Sequence, residues 1–250
     1  MTFRGEAAEP SPFALFLDFD GTLVEIAPSP DAVTVPRDLP AILARLRGRL
    51  GGALAIVSGR PIVDLDRYLP ELDASGLHGL ERRAGGVMDR PDLPDLAPEI
   101  ARLRERFASV PGALVEDKGI GVAVHWRRAP EAEAEARAAI FELAQRLGPP
   151  YRVQDGKAVC ELVAGAAHKG DGIRALMREP PYRGRRPIFA GDDRTDEAGF
   201  AAVRELGGVG VKVGAGPTGA AHRVASVADL AKILAAWAVG GVALERLPAA

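Results

Sequence analysis

Two acidic clusters carry the clearest chemistry in this sequence. Asp18-Phe19-Asp20-Gly21-Thr22 follows the apolar run Ala14-Leu15-Phe16-Leu17, and Gly191-Asp192-Asp193 follows Ile188-Phe189-Ala190. Two carboxylates spaced two residues apart can divide the labour at a phosphorus atom, one attacking and the other moving the proton. A plain polar turn would use the same residue types. Asp193, Thr195 and Asp196 have a local explanation as the cap and first turn of a helix. Asp192 has none, because it precedes that helix at a strand end. Acidic clusters at two buried strand ends would repel each other unless a cation lay between them, and an all-oxygen ligand set suits Mg²⁺.

Two further segments fit around a phosphate. Ser58-Gly59-Arg60 closes the apolar run Ala53-Leu54-Ala55-Ile56-Val57. The Ser58 hydroxyl could donate to a phosphate oxygen beside the backbone N–H groups of Gly59 and Arg60. An ordinary helix-capping serine accounts for it equally well. Lys169 opens a helix, where a cation opposes the helix dipole. As a point charge it could instead neutralise phosphate.

These residues need elements that bring them to one place. Short continuous apolar runs at 14–17, 53–57, 187–190 and 209–213 predict strands buried on both faces of a parallel sheet. Helical spacing predicts helices over 37–50, 62–69, 169–177, 195–204 and 227–239. This alternation argues for a doubly wound, mostly parallel α/β core. In such sheets ligands bind at the carboxyl ends of the strands, where the Asp18, Ser58 and Gly191 segments lie. The middle of the chain reads differently, as helix (96–107), hairpin (114–116 and 120–126), helix (131–147) and hairpin (151–154 and 157–162). The dipeptide Asp155-Gly156 is the expected turn of the second hairpin. The expected organisation is therefore core (1–90), an inserted α+β layer (91–165) and core again (166–250).

The four segments, in this order, resemble the haloacid dehalogenase superfamily of phosphotransferases, whose signature is DxDGT, a Ser or Thr, a Lys, and then GDD. The resemblance implies Asp18 as nucleophile and Asp20 as general acid and base. It implies Mg²⁺ held by the Asp18 carboxylate, the Asp20 backbone carbonyl and Asp192, with Asp193 and Asp196 close behind. Ser58, Gly59 and Arg60 would bind the phosphate, and Lys169 would complete the catalytic set. Within the superfamily, Glu116-Asp117-Lys118 followed by His125-Trp126-Arg127 looks like the E-D-K…H-[Y/W]-R pattern of the trehalose-6-phosphate phosphatase family. Gly76-Leu77-His78-Gly79-Leu80-Glu81 is similar to its N-H-G-x-E segment, and Gly191 to Glu197 to its GDDxTDE. That likeness implies a cap that closes over the substrate, with Glu116, Lys118 and Glu161 reaching the hydroxyls of the distal glucose. Without it, Glu116 and Lys118 read as a solvated hairpin with a surface ion pair. The sequence departs from the pattern at Val163, where a basic residue is usual, and at His168, where Asp is usual. Phosphatases of sucrose 6-phosphate or mannosyl-phosphoglycerate, and a non-catalytic sugar-phosphate sensor, are the rival readings.

Composition narrows the partners. The chain has 250 residues with 32 Lys and Arg against 34 Asp and Glu, and no strongly basic stretch. A nucleic-acid partner is not expected, since backbone phosphates call for a positive face. A single cysteine, Cys160, permits no internal disulfide and fits a reducing compartment. The polar first twelve residues lack the apolar core of a signal peptide. The apolar run Ile233–Leu244 is too short to span a bilayer. The expectation is a cytoplasmic monomer with a small sugar-phosphate substrate and no membrane partner.

Overall fold

The structure, a computed structural model, describes residues 11–27, 32–90, 92–149, 151–165 and 168–240. Residues 1–10 of the polar first twelve and the end of the last apolar run (241–244) lie outside them. In chain order the first elements are β1 (Phe13–Leu17), α1 (Leu39–Arg49), β2 (Leu54–Val57), α2 (Ile62–Leu65), β3 (Asp73–Gly76), β4 (Glu81–Ala84) and β5 (Val87–Asp89). Next come α3 (Ala97–Phe107), β6 (Leu114–Asp117), β7 (Val122–His125), α4 (Glu133–Leu147), β8 (Tyr151–Gly156) and β9 (Val159–Ala164). The last are α5 (Lys169–Leu176), β10 (Arg186–Gly191), α6 (Glu197–Glu205), β11 (Val209–Val213), β12 (His222–Val224) and α7 (Val227–Ala238). The chain divides into two compact units: Arg90–Ala167, and the segments Met1–Asp89 and His168–Ala250 together.

The larger unit is built on an eight-stranded sheet in the order β12-β11-β10-β1-β2-β3-β4-β5. The strands from β12 to β3 pair in parallel, and β4 and β5 add an antiparallel edge. β1 and β2 are apolar and almost wholly buried, as a strand covered on both faces must be. α1 packs beside α7, and α5 beside α6. Right-handed crossovers that leave β1 in opposite directions put the two helix pairs on opposite faces. The sheet is therefore doubly wound, and the strand order reverses at β1, between β10 and β2.

The smaller unit is a four-stranded antiparallel sheet, β6-β7-β9-β8. α3 packs on β6, and α4 packs on β7, β8 and β9. Among the described residues, no helix is long and apolar enough to cross a membrane.

Two local expectations need correction. The β8–β9 turn is Lys157-Ala158, not Asp155-Gly156: the strands run on to Gly156 and restart at Val159, with Ala158 left-handed at φ +59°. This register sets Val153 opposite Leu162 and Tyr151 opposite Ala164. Burial of those larger apolar pairs outweighs the turn preference of Asp-Gly. The helix expected over 62–69 ends at Leu65 and continues as turns, with Leu69 N–H still reaching the Leu65 carbonyl at 2.8 Å. Pro70 ends the segment because it has no N–H to extend the ladder.

Candidate active site

β10, β1 and β2 are adjacent and in register, Leu17 pairing with Ala190 on one side and Ile56 on the other. The residues that follow them, Asp18, Asp192 and Ser58, therefore emerge side by side at the switch point of the sheet. The Asp18 N–H continues the ladder by donating to the Ala190 carbonyl at 2.9 Å. Gly21 turns the chain at φ +78°, and a Cβ there would lie 2.7 Å from Asp192 Oδ1. Only glycine meets both conditions, a left-handed backbone and no side chain.

Lys169, 3% exposed at the start of α5, is the electrostatic centre of the cluster. Its Nζ donates to Asp18 Oδ1 at 2.6 Å and to Asp196 Oδ1 at 2.7 Å. Thr22 Oγ1 donates to the other Asp18 oxygen at 3.1 Å and lies 3.5 Å from Asp192 Oδ1. Asp196 Oδ2 accepts from the N–H groups of Asp192 and Asp193, both at 2.9 Å, which fixes the loop after β10. Asp193 turns aside and caps the following turn, accepting from Thr195 N at 2.8 Å and Thr195 Oγ1 at 2.7 Å. At the head of α5, Asp171 accepts from the His168 N–H at 3.1 Å.

The charges are strained in a telling way. Burial pushes the Asp18 carboxyl up from 3.8 to about 6, against the pull of Lys169. Burial and the neighbouring Asp18 charge push Asp196 to about 7, again against Lys169. Asp192 is raised by burial and then by Asp196 and Asp193. Burial works against the Lys169 ammonium, yet Asp18 and Asp196 outweigh it and hold its pKa above the ordinary lysine value. One ammonium thus leaves three clustered carboxylates undercompensated. Asp18, Asp192 and Asp196 each offer an oxygen within 4.8 Å of the others. A hard divalent cation such as Mg²⁺ fits that donor set by charge and by ligand type. Both Asp196 oxygens are already accepting, so Asp196 suits orienting the cluster better than ligating an ion.

Ser58 is buried, and its Oγ accepts from Arg60 N at 3.1 Å, which leaves its hydroxyl proton free to donate. Asp20 does not join the buried cluster through its side chain. Its carboxylate is gripped by Arg60, with Nε at 2.6 Å and Nη2 at 2.7 Å, a pairing that the sequence did not suggest. The Ser58–Arg60 loop is held from behind: His78 N donates to Ser58 O, and Leu77 N to Arg60 O. The buried Glu81 accepts from Ile62 N. The Gly76-to-Glu81 segment thus supports the phosphate-loop candidate.

In the smaller unit, Glu116, Ala123 and Glu161 form one cross-strand row over β6, β7 and β9, so both carboxylates point to the same face. Lys118 Nζ lies 3.0 Å from Glu161, and His125 Nε2 lies 2.8 Å from Glu116. The three sugar-binding candidates therefore lie close together in that unit. His125, set aside in the sequence, joins them. The signal that could have found it is the hairpin spacing, which places 116 and 125 on one face of neighbouring strands.

Known proteins are similar along most of this chain. A family profile described as trehalose-phosphatase matches residues 16–232. The chain is 44% identical over 206 residues to a protein of Sinorhizobium fredii described as a probable trehalose-phosphate phosphatase, covering 81% of this chain and 78% of the relative. It is 43% identical over 226 residues to the trehalose-6-phosphate phosphatase of Escherichia coli, covering 87% and 84%. A crystal structure of a trehalose-6-phosphate phosphatase related protein superposes with a TM-score of 0.75 at 29% identity, over 90% of this chain and 97% of that one.

Proposed function

The chain belongs to the trehalose-phosphatase family, and from that premise we propose that it hydrolyses trehalose 6-phosphate, with Mg²⁺ bound and Asp18 as nucleophile. The observation that carries the mechanism is the buried contact between Lys169 Nζ and Asp18 Oδ1 at 2.6 Å. It fixes a carboxylate, by a charged hydrogen bond, at the carboxyl end of the central strand.

In this reading Asp20, released by Arg60, first takes up a proton from solvent. Asp18 Oδ2 then attacks phosphorus, the bond from phosphorus to the trehalose oxygen breaks, and Asp20 gives its proton to that oxygen. Asp20 then takes a proton from water, whose oxygen attacks phosphorus. The Asp18–phosphorus bond breaks and inorganic phosphate leaves. Arg60 passes from Asp20 to the incoming phosphate, which frees Asp20 for proton transfer. Ser58 donates its free hydroxyl proton to a phosphate oxygen, and the N–H groups of Gly59 and Arg60 face the same anion. Lys169 remains on Asp18 and offsets negative charge as the phosphoryl group arrives. Mg²⁺, held by the Asp18 carboxylate, the Asp20 carbonyl and Asp192, would supply electrostatic stabilisation of the transferring group. Glu116, Lys118 and Glu161 bind the hydroxyls of the distal glucose, with His125 orienting Glu116.

The test is phosphate release from trehalose 6-phosphate, sucrose 6-phosphate, glucose 6-phosphate and mannosyl-phosphoglycerate, with Mg²⁺ and with EDTA. Metal-dependent preference for trehalose 6-phosphate is expected. Preference for another sugar would overturn the roles of Glu116, Lys118 and Glu161. Release from none would favour a sensor.

A further inference from the structure

A second concave site lies at the opposite end of the sheet from the catalytic residues. It is a cavity of about 470 Å³ between one stripe of α1 and the loops entering β2 and β3. The volume falls within the range of small-molecule pockets. Its apolar walls are Pro40 and Ala44 on α1 with Leu69, Pro70 and Leu72 beyond. These loops precede the strands whose far ends carry Asp18 and Ser58, so the cavity is roughly 13 Å away along β2.

Two residues set it apart from an ordinary surface dip. Arg47 lines it, and Arg47 Nε is buried without a hydrogen-bond partner. Among the described residues, no carboxylate forms an ion pair with Arg47, although the exposed Glu71 stands at the rim. The helix dipole favours a cation in the last turn of α1, but the exposed Arg49 already answers that. It gives no reason to bury the Nε of a half-buried arginine without a partner, where a lost hydrogen bond is costly. The second residue is Gly48, inside α1. Its backbone does not need glycine, and a Cβ there would meet nothing within 4 Å. Glycine weakens a helix, and neither backbone conformation nor close packing explains it here. Its missing side chain leaves open space at the edge of the cavity.

We propose that this cavity binds a small organic anion, an apolar body bearing one carboxylate, phosphate or sulfonate group, with the acid on Arg47 and the body over Gly48. The site is separate from the catalytic cluster and does not depend on the substrate assigned there.

The experiment titrates the full chain with 8-anilinonaphthalene-1-sulfonate and follows its fluorescence in wild type, Arg47→Ala, Arg47→Lys and Gly48→Leu. Saturable binding in wild type is expected. It should weaken about tenfold or more in Arg47→Ala, which loses a charged hydrogen bond, and in Gly48→Leu, which fills the space. Arg47→Lys should largely retain it. Hydrolysis of p-nitrophenyl phosphate should be unchanged in all variants, which establishes that each is folded. Equal binding by all four proteins, or no saturable binding in wild type, would each overturn the proposal.

Discussion

Replacing Gly21 by alanine tests how tightly the first acidic motif is fitted to the second. The perturbation is one methyl group with two separable effects. At φ +78° an alanine is held in the left-handed region, which costs about 1–2 kcal/mol. For a chain of this length that lowers Tm by about 2–8 °C. The new Cβ would also lie 2.7 Å from Asp192 Oδ1, too close for an unbonded carbon and oxygen, so the carboxylate must swing away by roughly 1 Å. A displacement of that size at a reacting centre costs about 100-fold in rate. The assays are a thermal melt in EDTA and a Mg²⁺ titration of phosphate release. The reasoning predicts a modest fall in Tm with a large fall in kcat/KM and a higher Mg²⁺ requirement. A variant with a lowered Tm but wild-type turnover and Mg²⁺ response would refute it, because Asp192 would then not need its observed position.

Lys169→Met should abolish turnover and destabilise the fold by about 3–5 kcal/mol at pH 8, since two buried carboxylates lose their counter-charge. Removing the ammonium raises both carboxyl pKa values further, so melts should show part of that loss recovered at pH 5. In the metal-free wild type, Asp18 and Asp196 are raised to about 6 and about 7 from 3.8. The folded chain then holds more protons than the unfolded chain over that interval. Denaturant titrations in EDTA should show this pair's contribution to stability declining as pH rises from 4 to 7, with Mg²⁺ opposing the decline at neutral pH. Lys118→Ala or Glu161→Ala should raise KM for trehalose 6-phosphate about tenfold or more, with p-nitrophenyl phosphate hydrolysis unchanged. An equal loss on both substrates would count against a sugar-binding role.

How much could be read in advance depended on how local each signal is. β1, β2 and β10 are short apolar runs, and their positions follow from burial on both faces. The motifs at their carboxyl ends could be recognised for the same reason. β3 could not: it reads Asp-Ala-Ser-Gly, yet it is wholly buried. Its Asp73 is satisfied by the Tyr182 hydroxyl at 2.7 Å and the Gly85 N–H at 2.9 Å, partners distant in sequence. The Asp20–Arg60 clamp was hidden likewise, because it depends on which strands become neighbours, whereas the Glu116–His125 pair lies within one expected hairpin. Asp193 behaves as a local cap, as its position suggested. Asp196 does more than that, joining Lys169 to the loop after β10 through a contact that spans 27 residues.

The central claim is that Asp18 receives the phosphoryl group of trehalose 6-phosphate. The most direct measurement mixes the protein with Mg²⁺ and substrate radiolabelled at phosphorus, quenches in acid within one turnover, and counts the label bound to protein. The account predicts acid-stable, hydroxylamine-labile label on the peptide containing Asp18, persisting longer in Asp20→Asn and absent in Asp18→Asn. Rapid release of free phosphate by the wild type, with no labelled protein at any quench time in either wild type or Asp20→Asn, would contradict it.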